Sequence, residues 1–328
     1  MRSVTQIPTI DLPQIKAAQK TLAGQIIKTP IVDLNQPQMV DALPDGCRAT
    51  LKLELFQMAG SFKARGVYLS VQNLTPDQRK SGVVAASGGN HALAVSWAAN
   101  AAGISAKIAI PRHADAIRID GCRALGADAI LCEDIAHAFQ TMQDIAANEN
   151  RAILHPFEGL SMSLGSATLG AEFHAQSDDL DIAIFPVGGG GLISGASVAL
   201  KLLNPNIEIY GIEPFGADTM YRSFASGKPE QISSVDTIAD SLGSPTALPI
   251  SFGLTQQNVT AIHRVHDDEM RRAMALMNQS LNLMPEPACA AALAGLIGPL
   301  REICAGKRVG ILACGANISL EKFQTILG

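Results

Sequence analysis

Short runs rich in β-branched and small apolar residues recur along this chain, and helix-length segments separate most of them. Ala49–Leu55, Gly82–Ala86, Ala106–Ile110, Asp128–Leu131, Arg151–Leu154, Ile182–Val187, Glu208–Glu213 and Arg308–Ala313 read as strands. His91–Ala102, Ala116–Leu125, Ile135–Asn148, Leu192–Leu203, Asp267–Asn278 and Pro287–Glu302 read as helices. This alternation is the strongest constraint on the fold. A helical crossover joins parallel neighbours, whereas an antiparallel pair needs only a tight turn. The pattern predicts an α/β fold with mainly parallel sheets, both faces covered by helices. At 328 residues the chain exceeds one minimal core and suits two domains.

Composition removes several functions. A net charge of -5, with one Trp and three Tyr, argues against nucleic-acid and membrane-surface binders. The six cysteines are scattered without a C-x-x-C pair, as expected for reduced thiols in a cytoplasmic protein. Met1–Leu12 lacks the apolar core of a secretory signal. Ala288–Leu300 falls short of the roughly 18–20 residues that a membrane span requires, so it reads as a packed helix. Phe215–Thr260 is dense in Ser, Pro, Gly and Thr and reads as the least regular region, either a substrate-facing loop set or a surface excursion.

Gly188-Gly189-Gly190-Gly191-Leu192 follows the Ile182–Val187 run and opens a helix. Without side chains, successive N–H groups can converge on one anion, and the positive end of the helix adds to their pull. A phosphate suits such a loop. The run lacks the G-x-x-x-x-G-K-[ST] of nucleoside triphosphate loops, and Ser194 stands where G-x-G-x-x-G needs its third glycine. Alone, it reads as a phosphate binder or as a tight packing turn.

Two further junctions carry chemistry. Lys63 follows a Gly-Ser turn in which Ser61 is expected to cap a starting helix. A lysine in a partly dry pocket loses its charge more easily and becomes an amine nucleophile. Ser87-Gly88-Gly89-Asn90-His91 forms another strand–loop–helix junction, whose N–H groups can receive a carboxylate. Each has a bland reading alone, an exposed lysine and a capped turn.

In this order and spacing, Ser61-Phe62-Lys63, Ser87-x-Gly89-Asn90-His91, Gly188–Leu192 and Cys314-Gly315-Ala316-Asn317 resemble the motifs of the fold-type-II pyridoxal-phosphate enzymes. The chain is most similar to their serine/threonine dehydratase and serine racemase group. The likeness covers nearly the whole chain, through Pro156-Phe157, Gly165–Thr168, Gly211–Pro214 and Thr237–Asp240. It implies a tryptophan synthase β-like architecture: a large cofactor-binding domain from 1–50 and 159–328, and a small mobile domain at 51–158. It further implies that Lys63 is the Schiff-base lysine, that Phe62 flanks the cofactor ring and that Asn90 bonds the ring hydroxyl. Gly188, Gly189, Gly190, Gly191 and Leu192 would cradle the 5′-phosphate, and Cys314 would face the pyridine nitrogen. Ser87, Gly88, Gly89, Asn90 and His91 would bind the substrate carboxylate.

The same resemblance sets the chemistry. The cofactor supplies the electron sink, and Lys63, once displaced by substrate, acts as the base at Cα. A neutral Cys314 cannot hold a proton on the pyridine nitrogen as an aspartate would, which favours loss of a β-substituent over transamination. Racemisation needs a second base on the opposite face. In the serine racemases a Ser fills that role directly before Gly-Asn-His, where this chain has Gly88. Many relatives also hold Mg²⁺ or Ca²⁺ through a Glu, an Ala carbonyl and a second acid. Glu213 and Ala217 match, whereas Thr219 replaces the acid beside Asp218. Gly165-Ser166-Ala167-Thr168 departs from the family's Gly-Gln-Gly-Thr. His263-x-x-His266 reads as a solvated helix start, and no C-terminal regulatory domain is expected.

The expectation is therefore a homodimeric cytoplasmic lyase that takes water and ammonia from L-threonine, L-serine or 3-hydroxyaspartate. An amino-acid racemase and a non-catalytic phosphate-ligand binder on the same scaffold are the alternatives.

Overall fold

The computed structural model describes residues 6–177 and 179–328, so the first five residues of the stretch read as leaderless lie outside the described part. Its strands are β1 (Ile31–Asp33), β2 (Arg48–Leu53), β3 (Val83–Ala86), β4 (Ala106–Pro111), β5 (Asp128–Cys132), β6 (Ala152–Ile153), β7 (Ile182–Pro186), β8 (Glu208–Pro214), β9 (Ala261–Val265) and β10 (Arg308–Ala313). They form a six-stranded sheet in the order β1-β2-β10-β7-β8-β9 and a four-stranded sheet in the order β5-β4-β3-β6. Every pairing is parallel except β1 with β2, where Ile31 lies opposite Lys52. β3 and β7 are buried along their whole length, as continuous apolar runs are when helices cover both faces. The expected α/β fold is the one observed.

Several local expectations are corrected. β2 ends at Leu53 and passes into a 3₁₀ turn at Glu54–Phe56, so a boundary after residue 50 falls inside a strand. The Phe215–Thr260 region contains helices at Thr219–Ser226 and Pro249–Asn258. Its irregular part is the stretch between them. The helix expected to reach Glu302 stops at Ile297, where Gly298 leaves helical geometry.

The Leu160–Gln176 helix escaped the sequence reading, yet it organises the molecule. It packs between the Lys63–Gln72 helix and the Gly191–Leu203 helix. Close approach depends on missing side chains. A Cβ on Gly165 would lie 2.3 Å from the Gly66 nitrogen, and one on Gly195 would lie 1.8 Å from the Ser163 carbonyl oxygen. The two helices that open at Lys63 and at the glycine loop are therefore held one helix width apart.

The C-terminal ends of β3, β7 and β10 carry Ser87–His91, Gly188–Gly191 and Cys314–Asn317, the edge where parallel sheets place their ligands. Among the described residues, no helix is long and apolar enough to cross a membrane.

Candidate active site

β7 lies inside its sheet between β10 and β8, so the loop that follows it starts from a fixed point. Gly190 has φ +86°, a left-handed conformation that favours glycine. A Cβ on Gly189 would lie 2.3 Å from the Phe157 ring. The N–H groups of Gly188, Gly189, Gly190, Gly191 and Leu192 find no acceptor among the described residues. Unpaired donors at the head of a thirteen-residue helix make an anion receptor.

Lys63 is brought to this edge by a second pairing. Ser61 bridges Gly315, Phe62 N donates to Cys314 O (3.1 Å), and Ala316 N donates to Gly60 O (3.2 Å). This contradicts the expected Ser61 cap. Extended backbone at Ser61 serves the bridge, Phe62 takes the N-cap position, and Ser61 Oγ is buried without a partner. Lys63 Nζ donates to the Pro156 carbonyl and lies 5.0 Å from the centre of the Phe62 ring. Burial pushes the amine down to about 8, against the opposing pull of Cys314 and Glu286. The Cys314 thiol is driven well above its usual range by burial, then by Cys289 and Glu286, so it stays neutral.

The Ser87–His91 loop leads into the Asn90–Ala101 helix. Ser87 Oγ accepts from Gly89 N (3.1 Å). The N–H groups of Gly88, Asn90 and His91 have no acceptor among the described residues, which leaves three donors for a carboxylate. Only the backbone of His91 belongs to that set. Its imidazole turns inward, with Nε2 against Leu154 O (2.8 Å), and Nδ1 is buried without a partner. Burial, then the Lys63 charge, pushes this imidazole down to about 3.

The sequence reading missed a polar hub behind the loop. Asn90 Nδ2 donates to Glu286 Oε1 (2.6 Å), and Asn90 Oδ1 accepts from Asn317 Nδ2 (2.7 Å). Arg118, almost fully buried, donates from Nε to Asn317 O (2.7 Å) and from Nη1 to Gly88 O (3.2 Å) and Asp240 (2.9 Å). Its Nη2 donates to Asp240 and Glu286, at 3.3 Å each. Burial raises the Glu286 carboxyl while Arg118 holds it down. The available signal was Glu286 itself, a carboxylate at the head of the otherwise uncharged Pro287–Ile297 helix.

The expected cation site does not fit. Both oxygens of the buried Glu213 accept backbone N–H groups, from Met220 (2.9 Å) and Tyr221 (2.7 Å). Asp218 turns to Arg222 and Arg264, and the Thr219 hydroxyl donates to Ser244 O. Ala217 lies buried in the intervening 3₁₀ turn. Among the described residues, no group of three His, Cys, Asp or Glu could hold a metal ion. Arg264, 3.8 Å over the Tyr221 ring, already supplies positive charge there.

An anion receptor and an enclosed, partly neutral amine on one sheet edge suit a ligand bearing both a phosphate and an aldehyde. The unpaired N–H groups of the glycine loop and the orphaned Ser61 hydroxyl leave polar contacts for it.

Comparison with known proteins agrees. The chain is 42% identical to a phenylserine dehydratase of Ralstonia pickettii, over 99% of each chain. It is 33% identical to an L-threonine ammonia-lyase of Thermotoga maritima, over 97% of this chain and 78% of that one. The maize serine racemase structure superposes with a TM-score of 0.90 at 31% identity, covering 97% of both chains. The family model described as "Pyridoxal-phosphate dependent enzyme" matches residues 22–315. On the geometry and on these matches together, the chain belongs to the pyridoxal-phosphate dependent enzymes.

Proposed function

We propose that this enzyme is an ammonia-lyase that converts a β-hydroxy-α-amino acid into a 2-oxo acid and ammonium. The observation that carries the reading is a site with one Cα base. Lys63 offers an amine, position 88 offers no side chain, and the Ser87 hydroxyl is engaged by Gly89 N.

Bound pyridoxal phosphate supplies an electron sink joined to the substrate amine. In this reading the N–H groups of Gly188–Leu192 hold the phosphate, and those of Gly88, Asn90 and His91 hold the substrate carboxylate. Asn90, fixed by Glu286 and Asn317, orients the ring, and Phe62 flanks it. Cys314 presents a neutral thiol to the ring nitrogen and so adds no charge there. Lys63 would take the Cα proton, an equivalent proton would leave with the β-hydroxyl as water, and hydrolysis of the released enamine would free ammonium. Threonine, serine, 3-hydroxyaspartate and phenylserine are the candidate substrates. We extend the proposal to a cytoplasmic homodimer in which the unit built on the four-stranded sheet β5-β4-β3-β6, beginning after β2 rather than inside it, closes over substrate.

Incubation of the holoenzyme with single L-amino acids tests the reading. A 2-oxo acid and ammonium should form in equal amounts, with no D-isomer above background. Rapid formation of D-isomer without 2-oxo acid would overturn it in favour of a racemase. Gly88→Ser restores a hydroxyl at that position, where a Cβ meets Ala114 at 3.3 Å. It is expected to raise D-isomer formation above the wild-type background, read by chiral chromatography.

Cofactor loading should follow the Lys63 amine. With the group near 8, about a tenth is uncharged at pH 7, against roughly one in a few thousand for an ordinary lysine. The rate at which the visible band develops on adding pyridoxal phosphate to stripped protein should rise with pH and level off near 8. A rate still climbing steeply through pH 9 and 10 would show an unperturbed lysine.

A further inference from the structure

The site also restricts the group attached to the substrate's β-carbon. Pro156, whose carbonyl accepts from Lys63 Nζ, stands between two ring-bearing residues, His155 and Phe157. Their rings meet edge to face with centres 4.6 Å apart. Phe157 lies against Gly189 and Gly191, where any Cβ would strike it at 2.3 and 2.7 Å, so the glycine loop fixes its place. His155 is fixed as well. Its Nδ1 accepts from Phe157 N (3.3 Å) and Glu158 N (3.0 Å), which leaves the proton on Nε2.

The cation touching the Ser87–His91 loop is already spent. Arg118 has five N–H donors, and each has an acceptor in Asn317, Gly88, Asp240 or Glu286. A second substrate carboxylate would have to displace one of them. The imidazoles beside Lys63 add no charge, because burial and the lysine push His91 down to about 3 and His155 to about 4. What flanks the carbonyl that holds the reacting amine, in sequence, is an uncharged pair of braced rings.

We propose that the β-substituent is an uncharged aryl group seated against His155 and Phe157, which makes His155 a specificity-determining residue. The inference rests on the elimination reading above. For the simplest such substrate, phenylserine, the Cα–H, Cβ–O and Cα–N bonds break. Water is lost and then regained, and the products are phenylpyruvate and ammonium. The reaction needs no external oxidant or reductant.

The test is a substrate panel on the holoenzyme and two variants. Wild type should prefer phenylserine over 3-hydroxyaspartate in kcat/KM by at least about 100-fold, the order expected for burying a charge without a partner. His155→Asn keeps an acceptor for the two N–H groups but removes the ring. Phe157→Leu keeps the packing but removes the other ring. Each should lower the phenylserine-to-serine ratio of kcat/KM by roughly 3- to 10-fold, through KM. Each should also weaken binding of L-phenylalanine, which has no hydroxyl to eliminate, by a similar factor in calorimetry. An unchanged ratio and unchanged phenylalanine affinity in both variants would overturn the inference, as would equal turnover of 3-hydroxyaspartate. If no amino acid in the panel yields a 2-oxo acid, the elimination reading itself fails.

Discussion

Lys63→Ala should give a folded protein that cannot anchor pyridoxal phosphate covalently and whose lyase rate falls at least about 10⁴-fold. The substitution removes both an amine nucleophile and a positioned base, each of which alone is worth orders of magnitude. Folding should survive. Lys63 Nζ makes one hydrogen bond, to the Pro156 carbonyl, and the depressed amine shows that burying its charge is unfavourable. The sign of the linkage follows. Below about pH 8 the native state carries a charge it disfavours, and the penalty fades as pH rises toward the ordinary lysine range near 10.5. Cofactor-free Lys63→Ala should therefore match or exceed cofactor-free wild type in thermal stability at pH 7, the margin shrinking toward pH 10. Absorbance after borohydride treatment and dialysis reads the covalent anchor. A variant that keeps a bleached, near-ultraviolet-absorbing pyridoxyl group after reduction and dialysis would show another lysine at work.

The second large effect is structural. Gly195→Val should cost about 3–5 kcal/mol, the upper range for overpacking, because the new side chain has no room to move into. Its Cβ would sit 1.8 Å from the Ser163 carbonyl and 2.8 Å from the Ala167 nitrogen, both backbone atoms of the neighbouring helix. Relief requires pushing apart the Gly191–Leu203 and Leu160–Gln176 helices. That shift carries the glycine loop with it, so phosphate affinity should fall together with stability. Thermal unfolding and equilibrium dialysis of pyridoxal phosphate on the same sample read both. Full cofactor affinity in a protein of normal stability would mean that the spacing between these helices is slack.

The parts legible in sequence were those written in local chemistry. β3 and β7 announce themselves as short apolar runs between turn residues, and the glycine run between a strand and a helix admits few uses. Lys63, Asn90 and Cys314 were legible only as members of a set, since each alone has an ordinary structural reading. The Leu160–Gln176 helix was missed because it is buried on most sides and rich in Gly, Ala and Ser. It shows no apolar stripe, and its Ser, Gly and Thr dilute the Ala and Leu that favour a helix. β9 was missed because it follows directly on Phe215–Thr260, whose Ser and Pro content suggested loops, and is only five residues long. Arg118 and Glu286 lie 168 residues apart and meet only through the fold, so no spacing rule could join them. Ser61 shows the opposite failure. A turn-capping residue in the right place was claimed by a bridge to residue 315, a tertiary contact that local propensity does not contain.

The position of β10 bears on how the protein is made. It is the last strand in the sequence, yet it lies between β2 and β7 and supplies the 314–316 segment that pins the backbone ahead of Lys63. On the ribosome, β2 emerges early and must wait for its parallel partner until residue 308 has been added. A chain released before that point has its reactive lysine and its glycine loop but not the pairing that sets them on one edge. Cofactor capture should thereby wait for chains extended past residue 316, and shorter translation fragments should remain colourless. The slow, long-range pairing that this order imposes leaves β2 and β7 as the exposed strand edges that a chaperone would meet during synthesis.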